Sequence, residues 1–541
     1  FQYRAVVREL GKVFGLPKRE IDRLAGGHVD LNQLDEISQL VFRYGKRIQD
    51  MPNYLSIHAG GILITNRSIH CFTATFLPPK GFPTTQFDMV VAEDISIYKF
   101  DILSQRGLGK IRDTLSIIRR NRPDVQLPDI HDISPFKSDP RIREMLRQGM
   151  AIGCFYVESP AMRMLMRKLR VDDYLGLVAA SSVIRPGVAK SGMMREYILR
   201  YRYPERRNDA HPIMLDIMPE TFGVMVYQED VIKVAHYFAG LSLAEADVLR
   251  RGMSGKFRGR EEFERARQRF FQRCLEKGYG EELTAEIWRQ VESFAGYAFA
   301  KGHSASYAVE SYQSLFLKAH FPLEYMVATV NNGGGFYSAE LYLHEARMLG
   351  ADIQPPCVNR SHAECRLSGK TIFLGLAMIK SLERGLLADL LCERRENGPF
   401  CNLSNFLKRV PCSLEQLRLL VRMGAFRFTE KNKKELMWEA HLLLNKQPKK
   451  RTVKTLFDAP VRPYKLPELD REAREDAYDQ IELLGFPLCN YFSLYTTEEQ
   501  GVIACDLKQH IGKNVLSMGY LVTVKQTRTS KGEMMLFGNF L

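Results

Sequence analysis

The sequence has little that would bind a structural metal or cross a membrane. Its ten cysteines include no C-x-x-C pair, which argues against a zinc knuckle or a disulfide framework and fits a reducing cytoplasm. It has no run of about 18 apolar residues, so no membrane span is expected. Acidic residues are fewer than basic ones. The chain has 63 Asp and Glu and 77 Lys and Arg, which gives a formal net charge of +14. This excess favours a polyanionic partner, nucleic acid first, and leaves open a basic enzyme that binds no nucleic acid.

The chain divides into stretches of different secondary-structure pattern, and its 541 residues predict three or four domains. Short amphipathic helical patterns come first, strand-like patterns begin at Ile57, and helices dominate from Gly109 to about Phe428. A cationic stretch follows, and an alternating pattern begins at about Ile503, with Ser530-Lys531-Gly532 as a hairpin turn. The chain opens without a Met and closes within a strand-like pattern, so we expect a fragment.

The segment "FAGYAFAKGHSASY" at residues 294–307 predicts an anion site. An apolar helical stripe starts beyond Ser304, and Ser304 or Ser306 could cap that helix. The first backbone N–H groups of a helix lack internal partners and lie at the positive end of its dipole, so they attract anions. Lys301 and His303 stand beside this position. The alternative is an ordinary capped helix with a surface lysine.

The strand-like segment "IYKFDIL" carries Lys99 and Asp101. Residues two apart share one face of a strand, so we expect the two side chains to point the same way. A carboxylate on an otherwise apolar strand is costly unless it is paired or bound to a cation. Two interpretations stay open at this stage: a Lys–Asp pair at a strand end, and a Mg²⁺ ligand. In the preceding "SIHAGG" segment the glycines allow close backbone approach, and His58 has an ordinary structural interpretation.

Two further segments carry arginines suited to phosphate. Arg250 and Arg251 end a predicted helix, and paired guanidinium groups offer planar forks that match phosphate geometry. Cations at a helix C-terminus are also favourable without any ligand. Arg185 precedes a Pro-Gly turn that could hold its side chain rigidly, although most such turns have no binding role.

Seven segments, in their order along nearly 300 residues, resemble the catalytic subunit of bacterial DNA polymerase III, the family C replicative polymerases. They are "SIHAGGILIT", "TTQFD", "YKFDILSQRGLGKI", "GCFYVESPAMRMLMRKL", "RPGVAKSGMM", "GVMVYQEDVIKVAHYFAGLSLAEADVLRRGMSGK" and "FAGYAFAKGHSASYAVESYQSLFLKAHFPLEYM". The resemblance implies DNA-templated DNA synthesis by two-metal nucleotidyl transfer, with Mg²⁺ between a primer 3′-OH and the incoming triphosphate.

The resemblance also implies a multidomain α+β fold. Its expected parts are a small helical thumb, the second half of a polymerase-beta-like palm, large and mostly helical fingers, a helix-hairpin-helix-like region, a basic linker with a possible clamp-binding peptide, and the start of an OB-fold β-barrel. In that order they would span residues 1–56, 57–106, 107–360, 361–428, 429–480 and 481–541.

Residue roles carry over from the family position by position. Asp101 matches the third catalytic aspartate and metal ligand of the palm, while the other two aspartates are expected upstream of this chain. Lys99 matches a residue expected to contact the primer terminus. The residues expected to hold the nucleotide are Arg250, Arg251 and Lys301 at the triphosphate, Tyr297 and His303 near the sugar, and Arg185.

The resemblance implies partners as well: primer–template DNA, dNTPs, and, in the bacterial cytoplasm at the nucleoid, a sliding clamp and other replisome subunits. Leu456 and Phe457 in "VKTLFD" stand where the family has its clamp-binding peptide, but Val453 replaces the expected Gln. "AMIKSLERG" lacks the Gly-x-Gly hairpin expected of a helix-hairpin-helix element. No membrane partner is expected.

Three functions stay open at this stage. The first is a DNA polymerase, either the main replicase or an accessory, error-prone paralogue, because "FDILSQRGLG" and Tyr156 depart from the usual family pattern. The second is a non-catalytic paralogue that binds nucleic acid or a clamp. The third is a nucleotidyltransferase acting on small molecules or RNA ends, against which the net charge and the long helical finger block argue.

Overall fold

The computed structural model describes most of the chain and divides it into two compact units, Phe1–Gln105 and Arg106–Leu541. The described residues are 2–26, 34–51, 57–58, 60–79, 81–103, 105–185, 188, 192–252, 260–292, 300–445, 474–495, 501–528 and 533–540. Within these ranges no helix combines the length and the apolar character needed to cross a lipid bilayer.

The first unit begins with three helices that pack on one another. They are α1 (Tyr3–Val13), α2 (Lys18–Ala25) and α3 (Glu36–Ile48). Their apolar faces meet at Val7, Leu24 and Val41, which are buried. The Asp35 carboxylate starts α3 by accepting the Ser38 backbone N–H at 2.8 Å. The helices expected in the first 50 residues are therefore present.

The rest of the first unit consists of short strands and one helix. These are β1 (Gly61–Leu63), β2 (Thr75–Phe76), β3 (Thr84–Thr85), α4 (Met89–Asp94) and β4 (Lys99–Asp101). Strands β1 and β4 pair antiparallel, with Gly61 opposite Asp101 and Leu63 opposite Lys99. Strands β2 and β3 form a second antiparallel pair. The register of β1 against β4 sets the surroundings of the two charged residues on β4.

The second unit starts with a large helical region. Its helices are α5 (Arg106–Asn121), α6 (Ser134–Ser138), α7 (Pro140–Gln148), α8 (Pro160–Leu169), α9 (Tyr174–Val183), α10 (Met193–Arg202), α11 (Pro212–Ile217), α12 (Gln228–Lys233), α13 (Leu243–Gly252), α14 (Arg260–Glu276), α15 (Glu281–Glu292), α16 (Lys301–His320), α17 (Pro322–Asn332) and α18 (Ala339–Met348). A π-helical turn, Val234–Phe238, extends α12.

Helix α16 lies at the centre of this region and packs against α5, α7, α9 and α17. Its second half is apolar on most sides, so it is buried all round, with Tyr312, Leu315 and Leu317 fully enclosed. The buried ammonium of Lys318 on the same helix is satisfied by the Ile152 carbonyl and the Glu345 carboxylate, both at 2.7 Å from Nζ. The second half of α16 is thereby held firmly against its neighbours.

A three-stranded sheet follows, which the sequence patterns did not predict. Its strands are β5 (Asp352–Gln354), β6 (Arg366–Ser368) and β7 (Thr371–Phe373). Strand β7 lies in the middle, parallel to β5 and antiparallel to β6. The expected helical block up to about Phe428 is therefore interrupted here, and the sheet joins residues on both sides of the expected boundary at residue 360.

The remaining helices are α19 (Arg384–Asn397), α20 (Leu403–Arg409), α21 (Leu414–Arg422), α22 (Lys433–Asn445) and α23 (Glu475–Leu483). Short 3₁₀ turns occur at Ile69–Cys71, Pro204–Asp209, Pro219–Thr221, Leu376–Met378, Arg427–Thr429, Tyr491–Leu494 and Leu507–His510. Strands β8 (Leu521–Arg528) and β9 (Met534–Phe540) form an antiparallel pair near the end of the chain. The hairpin turn predicted at residues 530–532 lies outside the described residues. The antiparallel pairing of β8 with β9 agrees with a hairpin.

Candidate functional site

Strand β4 presents Lys99 and Asp101 on one face, as the sequence predicts. The Lys99 Nζ donates to Asp101 Oδ1 at 2.9 Å and to Oδ2 at 3.0 Å. The hydrogen bond from Lys99 is the main cause that lowers the pKa of Asp101, and the charges of Lys99 and His58 act in the same direction. The carboxylate is about half exposed, at 47% of its side-chain surface. Asp101 is therefore an accessible carboxylate that stays ionised at neutral pH.

His58 lies beside this pair and is held by backbone groups of β1. Its Nδ1 accepts the Gly61 N–H at 2.7 Å and the Gly60 N–H at 3.2 Å. Nδ1 also lies 3.7 Å from Asp101 Oδ1. The two backbone contacts hold the imidazole ring next to the carboxylate.

The two glycines of "SIHAGG" are needed for this arrangement. A Cβ atom at Gly61 would lie 2.9 Å from both His58 Nδ1 and Lys99 Cδ, and one at Gly60 would lie 2.7 Å from the Ile102 carbonyl oxygen. Both distances are too short for real side chains. The expected close backbone approach in this segment is confirmed, and it brings β1 against the charged face of β4.

A magnesium ion is not accommodated by these residues alone. Mg²⁺ favours several oxygen ligands in near-octahedral geometry, whereas both oxygens of Asp101 are bound by Lys99. In the part of the chain that the structure describes, no group of three or more His, Cys, Asp or Glu side chains could hold a metal ion.

In the second unit, Arg250 and Arg251 share one carboxylate at the end of α13. Arg250 Nη2 lies 2.8 Å from Asp247 Oδ1, and Arg251 Nε lies 2.9 Å from Oδ2 of the same residue. The spacings of three and four residues place all three side chains on one helix face. Two guanidinium groups on one carboxylate leave a net positive charge there. Rotation of these side chains can direct their N–H groups toward an anion.

The start of α16 differs from the sequence expectation. The helix begins at Lys301, three residues before the apolar stripe, and its N-cap, Ala300, makes no side-chain hydrogen bond. Neither predicted cap has that role, because the buried Ser304 hydroxyl contacts the Ser182 hydroxyl and the Ser306 hydroxyl donates to the Gly302 carbonyl at 3.0 Å. The prediction that Ser304 or Ser306 caps the helix is wrong.

A carboxylate from a distant helix takes the place of the cap. Both oxygens of Glu229 on α12 accept the Lys301 backbone N–H, at 3.1 and 3.0 Å. The Lys301 ammonium pairs with Glu220 and lies 5.5 Å from the centre of the Tyr227 ring. The start of α16 therefore binds an anionic group, and in this structure that group belongs to the protein itself.

His303 and Arg185 are connected by two tyrosines that the sequence analysis did not assign to the site. The ring of His303 lies 6.3 Å from that of Tyr307, and Tyr307 lies 4.9 Å from Tyr156. The Arg185 guanidinium is hydrogen-bonded to the Tyr156 hydroxyl and lies 5.2 Å from its ring centre. Burial is the main cause that raises the pKa of Tyr156. The i, i+4 spacing of His303 and Tyr307 was the available signal for Tyr307.

Helix α12 connects the cationic groups of this unit. It packs against α13, which carries Arg250 and Arg251, and its Glu229 contacts the start of α16. Lys99 and Asp101 belong to the first unit. Tyr297, Leu456 and Phe457 lie outside the described residues.

Three family models match the chain. The "Bacterial DNA polymerase III alpha NTPase domain" matches residues 1–104, the "Bacterial DNA polymerase III alpha subunit finger domain" matches residues 107–278, and a "Helix-hairpin-helix motif" matches residues 350–436. The first two cover nearly all of the first unit, the helix that carries Arg250 and Arg251, and Arg185, which follows α9.

The chain is also similar to curated proteins named DNA polymerase III subunit alpha. It is 28% identical to that of Aquifex aeolicus over 547 residues, which cover 100% of this chain and 46% of the relative. Identity is 30% with the protein of Staphylococcus aureus strain MSSA476, covering 99% of this chain and 51% of the relative. It is 32% with that of Thermus aquaticus, covering 78% of this chain and 36% of the relative. The chain thus spans about half the length or less of these relatives.

Proposed function

Because the chain belongs to the family of bacterial DNA polymerase III alpha subunits, we propose that it forms part of a DNA-templated DNA polymerase. In this reaction the primer 3′-OH oxygen bonds to the α-phosphorus of a dNTP, and the bond from that phosphorus to the pyrophosphate leaving group breaks. The observation that carries the proposal is the pair of arginines on Asp247, joined through α12 to the lysine at the start of α16.

In the proposed complex, Arg250, Arg251 and Lys301 bind the triphosphate. The two guanidinium groups leave Asp247 and the ammonium group leaves Glu220, and all three bind phosphate oxygens instead. A triphosphate carries more negative charge and accepts more hydrogen bonds than these carboxylates. This would place the leaving pyrophosphate among fixed positive charges, which stabilises charge that develops as the bond breaks.

The ring series from His303 through Tyr307 and Tyr156 to Arg185 would lie alongside the nucleotide. The rings of His303 and Tyr307 are stacked and that of Tyr156 is tilted by 52° to Tyr307, so together they offer aromatic faces to a sugar or base. The expected role of His303 and Tyr297 near the sugar is part of this proposal.

Two-metal transfer is proposed for the whole protein, with Asp101 as one metal ligand and Lys99 at the primer terminus. Bound Mg²⁺ would supply electrostatic stabilisation of the attacking and leaving oxygens. Asp101 offers a single carboxylate, so further ligands would have to come from the part of the protein that relatives about twice as long possess. Lys99 keeps Asp101 ionised and oriented until such a site is assembled.

DNA is the proposed macromolecular partner. The net charge of +14 and the helix-hairpin-helix match at residues 350–436 support contacts with the phosphate backbone that are largely independent of sequence. A sliding clamp bound through Leu456 and Phe457, other replisome subunits, and a location at the bacterial nucleoid are predictions that follow from the family.

Replacing Arg251 by Ala in the whole polymerase is expected to raise the KM for dNTP more than about tenfold, because one charged phosphate contact is removed. Arg250 keeps its own bond to Asp247, so α13 should retain its structure and DNA affinity should change little. The measurement is steady-state primer extension at varied dNTP concentration.

A matched control is Arg265→Ala on α14, where an exposed arginine pairs with Glu261 at 3.5 Å. Its KM should stay within about twofold of the unsubstituted enzyme. Unchanged nucleotide kinetics in Arg251→Ala would show that Arg251 does not bind the triphosphate.

A second candidate function is a non-catalytic paralogue that binds DNA or a clamp. Its discriminator is the sequence upstream of this chain, where absence of the paired carboxylates would favour it. Primer extension by the full-length protein separates the two functions, because a paralogue of this kind would bind the primer–template and never extend it.

A further inference from the structure

Tyr156 has a strained backbone in the turn that precedes α8. Its φ is +68°, in the left-handed region. Residues other than glycine rarely take this conformation, because their Cβ atom then lies too close to the following carbonyl oxygen. Arg170 has a similar conformation but ends α8 with it, whereas Tyr156 lies at no helix end. Strain of this kind is often found at functional sites, so it points to a role for the Tyr156 side chain.

Hydrogen bonds on both sides of Tyr156 hold the strained turn in place. The Glu158 carboxylate accepts the Gly153 N–H at 2.8 Å, which closes the turn. The Ser311 hydroxyl donates to the Phe155 carbonyl oxygen at 3.0 Å, which attaches the turn to α16. A strained residue persists only where its surroundings fix it. These bonds therefore compensate the strain and define the position of the Tyr156 side chain.

The turn places two successive rings against one residue of α16. In an extended chain, neighbouring side chains point to opposite sides. Here the ring centres of Phe155 and Tyr156 lie 5.9 Å apart. Both rings contact Tyr307: Phe155 meets it edge-on at 5.6 Å, and Tyr156 lies 4.9 Å from it. Tyr307 is thus held by two rings that belong to the same fixed turn.

The ring of Tyr156 is itself confined by a cation. The Arg185 guanidinium lies 5.2 Å from the ring centre and is hydrogen-bonded to the Tyr156 hydroxyl. A guanidinium group over an aromatic face is attracted to it. The ring therefore has contacts with both Arg185 and Tyr307, which restrict its movement and, through it, the movement of Tyr307.

His303 depends on Tyr307 in the same way. It lies four residues earlier on α16, and its ring stacks on that of Tyr307 at 6.3 Å, with 25° between the ring planes. His303 is exposed, whereas Tyr307 and Tyr156 are half-buried. An exposed side chain changes rotamer readily, and packing against a fixed ring reduces the number of rotamers that it occupies. The contact therefore favours one position of the imidazole at the start of α16.

We propose that Tyr156 is a positioning residue for sugar selection: it fixes Tyr307, which holds the His303 imidazole against the 2′ position of the incoming nucleotide. The inference rests on the proposed function, which places His303 near the sugar. A ribose differs from a deoxyribose there by a single hydroxyl group. A side chain excludes so small a group only if it cannot move aside, so the rigidity behind His303 would determine how well ribonucleotides are rejected.

The test compares Tyr156→Leu with Tyr156→Phe in the full-length polymerase. Leucine removes the ring, whereas phenylalanine keeps it and removes only the hydroxyl. In Tyr156→Leu, the ratio of kcat/KM for rNTP to that for dNTP should rise about tenfold, while kcat/KM for dNTP itself falls less than about threefold. The ratio in Tyr156→Phe should stay within about twofold of the unsubstituted enzyme. Single-nucleotide primer extension gives these values, and thermal melts check folding.

A double-mutant cycle with His303→Ala tests the route through His303. A positioning residue has no further effect once the group that it positions is absent. Tyr156→Leu combined with His303→Ala should therefore select against rNTP no worse than His303→Ala alone. Additive losses of selectivity would overturn the inference. A Tyr156→Phe variant as unselective as Tyr156→Leu would also overturn it, because the packing of the ring would then not be the cause.

Tyr174→Leu is the matched control, because Tyr174 also packs on α16. Its ring lies 5.8 Å from that of Tyr312, and its hydroxyl donates to the Ala305 carbonyl oxygen at 2.7 Å. Its selectivity should stay within about twofold of the unsubstituted enzyme. A loss equal to that of Tyr156→Leu would mean a general loosening of α16 and would overturn the inference.

The unsubstituted protein separates failure of the inference from failure of the proposed function. If it does not extend primers with dNTPs, the proposed function fails. If it extends them and Tyr156→Leu selects against rNTP as well as the unsubstituted enzyme does, only the positioning role of Tyr156 is wrong.

Discussion

Asp101→Asn in the full-length polymerase is expected to lower the rate of primer extension roughly a thousandfold or more, with DNA affinity nearly unchanged. The substitution removes one negative charge and keeps the size of the side chain. The Asn carbonyl oxygen can still accept a hydrogen bond from Lys99, which lies 2.9 Å from Oδ1 in the present structure. The fold of β4 should therefore survive, and the loss of extension rate would measure the contribution of the Asp101 negative charge.

Single-turnover extension of a labelled primer, with DNA binding measured in parallel, gives the two quantities. Asp22→Asn is the matched control, since Asp22 is an exposed aspartate of the same unit that pairs with Arg8 at 3.5 Å. It should extend primers at the unsubstituted rate. Full activity in Asp101→Asn would remove Asp101 from the reaction.

The pH dependence of this site follows from its pKa. Lys99 lowers the pKa of Asp101 below its ordinary value, so the charged form persists through neutral pH and is lost only in acid, below about pH 4. A loss of activity between roughly pH 6 and 8 therefore cannot come from protonation of Asp101.

Glu158→Ala is expected to destabilise the second unit by about 3–5 kcal/mol, the largest structural effect of a single substitution that we foresee. Glu158 is 7% exposed. Its carboxylate accepts the Gly153 and Phe336 backbone N–H groups, each at 2.8 Å, and the Tyr342 hydroxyl at 2.9 Å. Alanine would leave the buried Gly153 N–H and Tyr342 hydroxyl and the partly buried Phe336 N–H without this acceptor, and a cavity in place of the side chain.

Urea unfolding followed by circular dichroism measures the change, and amide hydrogen exchange at Gly153 and Phe336 localises it. Glu276→Ala on α14 is the control, because that exposed carboxylate pairs only with Arg273 and Gln272 among the contacts described. Its effect should stay below about 1 kcal/mol. If both variants unfold at the same urea concentration, the carboxylate of Glu158 does not stabilise this unit.

Features set by neighbouring residues were predictable from the sequence. The shared face of Lys99 and Asp101 follows from the period of a strand, and the contact between their side chains confirms it. The helix after residue 300 follows from its apolar spacing. The true start of that helix does not follow from the spacing, because the group that replaces the cap is Glu229, 72 residues earlier in the chain.

The three-stranded sheet was missed for a related reason. Strands β5, β6 and β7 have three residues each, too few to show an alternation of apolar and polar residues. Strand β5 pairs with β7, where Asp352 lies opposite Thr371, nineteen positions later in the chain, so no local pattern could relate the two strands.

The three carboxylates at the proposed triphosphate site have a consequence for ligand choice. Asp247, Glu220 and Glu229 already satisfy Arg250, Arg251, Lys301 and the start of α16. A ligand gains only the difference between its own contacts and those it replaces. A single phosphate would exchange one anion for another with little net gain, whereas a triphosphate engages several cations at once. Abundant monophosphates and inorganic phosphate would then compete poorly. The protein's own acidic side chains would set the smallest number of negative charges with which a ligand can displace them.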